Sequence, residues 1–145
     1  MRPGLPPLRW ALLGSLLACG DGTGPDPIPV CTSPLLVTAT RSVTPVVTWT
    51  GGCRVNQVVV HEAAPNFALA WAAFYADSNP ILPPVQYGVL PSGAEQLPDV
   101  PRALQPGTTY IIDVSVADTS NGTFVFVGSD TIIPWKIPGD SLRIA

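Results

Sequence analysis

The sequence predicts an all-β protein: an antiparallel sandwich of about seven strands after a leader and a flexible linker. Three observations carry that prediction. Apolar residues recur as short alternating runs, most cleanly Tyr110, Ile112, Val114 and Val116 against Ile111, Asp113, Ser115 and Ala117. Turn-forming Pro, Gly and Asn punctuate the chain at intervals of about ten residues. Proline is abundant, at 18 of 145 residues, while charged residues are only 12%, so helix-favouring Lys and Glu are scarce.

The elements follow in order. Leu35 to Thr40 and Val46 to Thr50 are β-rich runs joined by Arg41-Ser42-Val43-Thr44-Pro45, as in a hairpin. If Ala39 faces Pro45, then Val37 faces Val47, Leu35 faces Trp49 and Cys31 faces Cys53. One register thus gathers an apolar face and brings two cysteines together. Val55 to Glu62 reads as a strand with Val58 and Val60 inward. Ala68 to Ala76 is open to two readings. Asn66 could cap a helix, whereas Leu69, Trp71, Ala73 and Tyr75 alternate, and a strand completes the succession of hairpins. Val85 to Leu90 is a short strand between prolines. Thr109 to Ala117 is the clearest strand; Asp118 to Gly122 turns, and Thr123 to Gly128 returns.

Upstream of these runs, Met1 to Arg9 carries Arg2 and Arg9 and no acid, and Trp10 to Ala18 is uncharged. A nine-residue uncharged run suits a secretory h-region and is too short to span a bilayer as a helix. The run ends in Leu16-Leu17-Ala18-Cys19, which resembles the lipobox of bacterial lipoproteins. That resemblance implies cleavage after residue 18 and acylation of Cys19, with acyl chains as the membrane anchor. Gly20 follows the cysteine, which by the sorting pattern of that family favours the outer membrane over the inner. Residues 19–30, rich in Gly, Pro and Asp, then form the lipidated terminus and tether, residues 31–134 the sandwich, and residues 135–145 a tail.

Charge and cysteine content bound the partners. The net charge is −3, and removal of residues 1–18 leaves five basic against ten acidic residues. No Lys/Arg cluster is present, which argues against nucleic acid. With Cys19 assigned to lipid, Cys31 and Cys53 are an even pair for a structural disulfide in an oxidising compartment, stabilising by roughly 3 kcal/mol on the chain-entropy model.

At Leu104-Gln105-Pro106-Gly107-Thr108-Thr109-Tyr110 the chain resembles a fibronectin type III domain, and Val47-Thr48-Trp49 looks like that family's tryptophan-bearing core strand. The resemblance spans roughly residues 32 to 134. It implies the immunoglobulin-like sandwich and makes Tyr110 a structural corner whose hydroxyl bonds to upstream backbone. No Arg-Gly-Asp tripeptide accompanies it, so adhesion is not implied.

Catalytic signals are sparse. His61 is the sole histidine, and its neighbour Glu62 falls on the opposite side of a strand. No Gly-x-Ser-x-Gly, phosphate loop or HExxH is present. A small hydrolase would need His61 in a polar pocket beside a nucleophile. Asp118, Asn121 and Asp130 could approach a Ca²⁺, but Asx residues in such turns ordinarily cap backbone groups. The expectation is a non-enzymatic envelope module with no cofactor and no metal, its partner an envelope protein or a glycan. Trp71, Tyr75 and Trp135 are the candidate binding aromatics, with Trp135 and Ile137 of the tail alternatively covering one end of the core.

Overall fold

The computed structural model describes residues 28–135 except 77, 79 and 119. The leader, Cys19, most of the tether and the tail beyond Trp135 lie outside the described residues. Eight strands are present: β1 Val37–Ala39, β2 Val46–Trp49, β3 Gln57–Glu62, β4 Leu69–Phe74, β5 Val85–Gln86, β6 Glu95–Leu97, β7 Tyr110–Asp118 and β8 Thr123–Ile132. They form two antiparallel sheets, ordered β1-β2-β5 and β6-β4-β3-β7-β8. Their inner faces enclose one core that includes Val37, Val47 and Trp49 from the first sheet and Val58, Val60, Trp71, Ile112 and Val114 from the second. The protein is an all-β sandwich.

The ambiguous segment is a strand. Ala70, Trp71, Ala72 and Ala73 are all buried, because β4 lies inside its sheet between β3 and β6. A bulge between Val60 and His61 bends the β3–β4 ladder. β6 was not foreseen: Glu95-Gln96-Leu97 has no apolar alternation, and it is a strand only because β4 offers an edge. The run from Val85 stops at Gln86, where the chain turns through Gly88 at φ +75° with Val89 N–H donating to Gln86 carbonyl. β8 continues four residues past Gly128. This glycine does not end the strand; it lets the start of β1 cross closely over it.

The first hairpin keeps its predicted faces but not its register. Val37 faces Trp49 and Ala39 faces Val47, a slip of two residues from the expected pairing. The loop closes with Thr40 opposite Val46, whose N–H donates to the Thr40 hydroxyl at 2.8 Å. Side-chain direction has period two, so the even slip leaves Val37, Val47 and Trp49 inward.

The disulfide forms by a different route. A 3₁₀ turn at Thr50–Gly52, with Gly51 at φ +83°, ends β2 before Cys53. The preceding segment then lies parallel to Arg54, with Cys31 N–H donating to Arg54 carbonyl and Arg54 N–H to Pro29 carbonyl, each at 2.8 Å. Cys31 and Cys53 are bonded with their Cα atoms 4.9 Å apart. The Trp49 indole N–H donates to Cys53 carbonyl at 2.9 Å, tying the bridge to the core.

Candidate functional site

The predicted aromatics part company. Trp71 is fully buried: its ring packs 5.4 Å from that of Tyr87 and its indole N–H donates to Gln96 Oε1 at 3.1 Å. The expectation that it forms part of an exposed binding patch is therefore corrected, since β4 turns it into the core. Tyr75 is half-buried against that core, and its hydroxyl donates to Ser92 carbonyl. Trp135 is 62% exposed. Its N–H donates to Arg41 carbonyl, and Pro134 carbonyl receives the N–H of Gly107, so the tail begins at the far end of β8 from the β7–β8 turn.

Tyr110 is buried at the start of β7, and its hydroxyl accepts the Gln105 N–H at 3.0 Å. That bond fixes the loop entering the strand. A second tyrosine with a larger structural task went unnoticed in the sequence. The Tyr87 hydroxyl faces both Arg102 carbonyl at 2.5 Å and Ala70 carbonyl at 3.1 Å, joining the segment after β5 to the opposite sheet. Burial pushes this hydroxyl up to about 12; the Tyr110 phenol adds to the rise and the Arg102 guanidinium opposes it.

The consequence for stability has a defined sign. The neutral phenol is favoured by the fold, so its contribution is complete below about pH 10 and lost as pH rises through 12. The loss amounts to at most about 3 kcal/mol for a two-unit shift. Native-state titration of phenolate absorbance should show a late-ionising component that is absent in Tyr87→Phe. Ionisation of all tyrosines near pH 10 in the folded protein would contradict the burial argument.

His61 is held on β3 by two ring contacts. Its Nε2 lies 2.9 Å from Asp113 Oδ2 and its Nδ1 lies 3.0 Å from Glu62 carbonyl, so both nitrogens are engaged. Glu62 Oε2 accepts from Asn66 Nδ2, and Arg102 sits 3.8 Å from Oε1. The three Asx residues do not converge. Asp118 Oδ1 accepts the Ser120 hydroxyl at 2.5 Å and the Ser120 N–H at 2.9 Å, which together hold its carboxyl below the usual range. Asn121 Oδ1 accepts from Thr123 N–H and hydroxyl. Asp130 stands near the other end of β8, where its Oδ2 accepts the Ala39 N–H at 2.7 Å. Among the described residues no group of three His, Cys, Asp or Glu is placed to hold a metal ion.

A surface formed for contact lies on a face that the sequence analysis did not single out. An open groove of about 460 Å³ crosses the outer face of the five-stranded sheet, lined by residues including Gln57, Val59, Leu69, Phe74, Leu97 and Phe124. None of its lining residues is ionisable, and Leu97 and Phe124 are about half exposed. Two local signals anticipate it. Leu69 to Ala76 is apolar at every position, which marks a strand covered on both faces, and Thr123 to Val127 places apolar residues on both sides of β8. The contributions from four strands meet only through sheet order β6-β4-β3-β7-β8.

Comparison with family models, with curated proteins and with solved structures returns no match.

Proposed function

We propose that this chain is a lipid-anchored protein of the bacterial envelope whose β-sandwich is a non-enzymatic binding or structural module. The observation that carries the reading is the cysteine arrangement. Cys31 and Cys53 bond to each other, and the remaining cysteine, Cys19, is the one in Leu16-Leu17-Ala18-Cys19. A disulfide and a lipobox both belong to a chain that leaves the cytoplasm, and they use all three thiols without remainder. The fibronectin type III-like stretch around Tyr110 contributes the sandwich to this reading and assigns no activity of its own.

The contact surface in this proposal is the apolar groove of the outer sheet face, which has area and shape but no acid–base pair. A glycan-binding role loses Trp71 to the core and retains Trp135 as its exposed aromatic.

Metabolic labelling with a palmitate analogue tests the anchor. The wild-type chain should incorporate label and fractionate with membranes. Cys19→Ala should lose the label and most membrane association, because acyl chains supply the attachment and the acidic domain supplies little. Equal labelling of the two forms, or a native chain with an unmodified Cys19 thiol, would end this reading.

A further inference from the structure

Asparagine is one of the chemically labile side chains, and it is most open to attack where glycine follows it. The chain holds one Asn-Gly pair, Asn121-Gly122, at the tip of the β7–β8 hairpin. Asp118 and Thr123 pair across the ladder, and Asn121, Gly122 and Thr123 are all exposed. Of the other described asparagines, Asn56 is fully buried and Asn66 precedes the bulky Phe67. Gly122 sits at φ +69°, and a Cβ built on it would meet nothing within 4 Å.

The hydrogen bonds of the turn arrange the reacting groups. Asn121 Oδ1 accepts the Thr123 N–H at 3.1 Å and the Thr123 hydroxyl at 2.6 Å. The first bond closes an Asx turn, which folds the side-chain carbonyl back over the intervening peptide that carries the Gly122 nitrogen. Asn121 Cγ and that nitrogen are the two atoms a five-membered ring would join, so part of the ordering is already done. Both Thr123 donors also point at the oxygen on which negative charge collects during attack. One bond opposes the reaction: Gly122 N–H donates to Asp118 carbonyl at 2.9 Å. It lies at an exposed tip, where water replaces it at small net cost.

We infer that the folded β7–β8 turn is a self-modification site, promoting conversion of Asn121 to aspartate and isoaspartate with loss of ammonia. Hydroxide takes the Gly122 amide proton, and the nitrogen attacks Asn121 Cγ. A C–N bond forms while the carbonyl electron pair moves onto Oδ1, where the Thr123 N–H and hydroxyl hold it. The adduct collapses by breaking the bond from Cγ to Nδ2, which leaves as ammonia with a proton from water. Water then opens the cyclic imide. Attack at Cγ gives aspartate; attack at the main-chain carbonyl of residue 121 gives isoaspartate, with the chain running through Cβ and Cγ.

Either product alters the hairpin. Aspartate places a new negative charge in a turn that already contains Asp118, on a chain that is acidic overall. Isoaspartate lengthens the main chain inside the turn, so the closing pair of Asp118 with Thr123 no longer matches the loop. The β7–β8 ladder then frays from this end, beginning at the pair of Phe124 with Ala117.

Peptide mass spectrometry of the aged full chain tests the site, with digestion at mildly acidic pH so that handling adds no conversion. The folded wild type, held at neutral and at mildly alkaline pH, should accumulate aspartate and isoaspartate at position 121. Conversion should be faster at the higher pH, because the attacking nitrogen must first lose its proton. Asn56 and Asn66 should remain amides. Gly122→Ala should slow conversion about tenfold, since a methyl group then flanks the nucleophile. Thr123→Val should slow it about threefold by removing one donor from Oδ1, while Thr123→Ser should match the wild type. Circular dichroism checks that each variant is folded. An Asn121 that survives in the folded chain but converts in the urea-unfolded chain would overturn the inference, because the turn would then protect the amide. Conversion of folded Thr123→Val at the wild-type rate would overturn it too.

Discussion

Gly128→Ala is expected to lower the unfolding free energy by about 3 kcal/mol or more, read from urea denaturation of the oxidised chain. A Cβ at Gly128 would stand 2.3 Å from the Leu35 carbonyl oxygen and 3.0 Å from Val37 Cγ2. The closest atom is backbone and cannot rotate away. The start of β1 is also held from three sides, by Val127, by the Val37–Trp49 pair and by the Cys31–Cys53 bond behind it. Relief therefore requires lifting β1 from β8, which sacrifices the Leu35–Val127 hydrogen bond and opens the core at Val37. Gly122→Ala is the control, since its Cβ meets nothing within 4 Å and only the φ of +69° opposes it. Its cost should be near 1 kcal/mol. A Gly128→Ala protein with wild-type stability would mean that β1 does not cross there.

Trp71→Ala should cost about 4 kcal/mol, a large share of the ~5–15 kcal/mol that holds a domain of this size together. The indole is fully enclosed, packs against Tyr87 and donates to Gln96, so its removal leaves a cavity and an orphaned amide oxygen in a half-buried side chain. Trp135→Ala, at an exposed position, should stay within about 0.5 kcal/mol of wild type. Unchanged m-values would show that the two variants differ in stability and not in the surface exposed on unfolding. Equal, small effects for both substitutions would place Trp71 at the surface after all.

These residues also show what a one-dimensional pattern can carry. Val58 and Val60, and the alternation from Tyr110 to Val116, announce an inner face because period two is a property of any strand. Parity survived the register error of the first hairpin, since a two-residue slip does not change which side a residue faces. The slip itself lay in loop closure at Thr40, which no apolar pattern encodes. Trp71 was misassigned for a related reason. Where both faces of a strand are apolar, alternation has no polar partner to mark the outside, and only the neighbours β3 and β6 decide. The groove went unnoticed because its lining comes from four separate strands, although the unbroken apolar run from Leu69 to Ala76 marks a strand covered on both faces.

The sequence by itself determined the fold class and the inner faces of the principal strands, because strand alternation is local; it anticipated the Cys31–Cys53 bond through a hairpin register that the structure replaces with another route. Tertiary structure alone decided the two-sheet order, the burial of Trp71 and the close crossing at Gly128. Each of those depends on which distant segment comes to lie alongside, and that is set by the packing of whole sheets, a quantity no short stretch of chain contains.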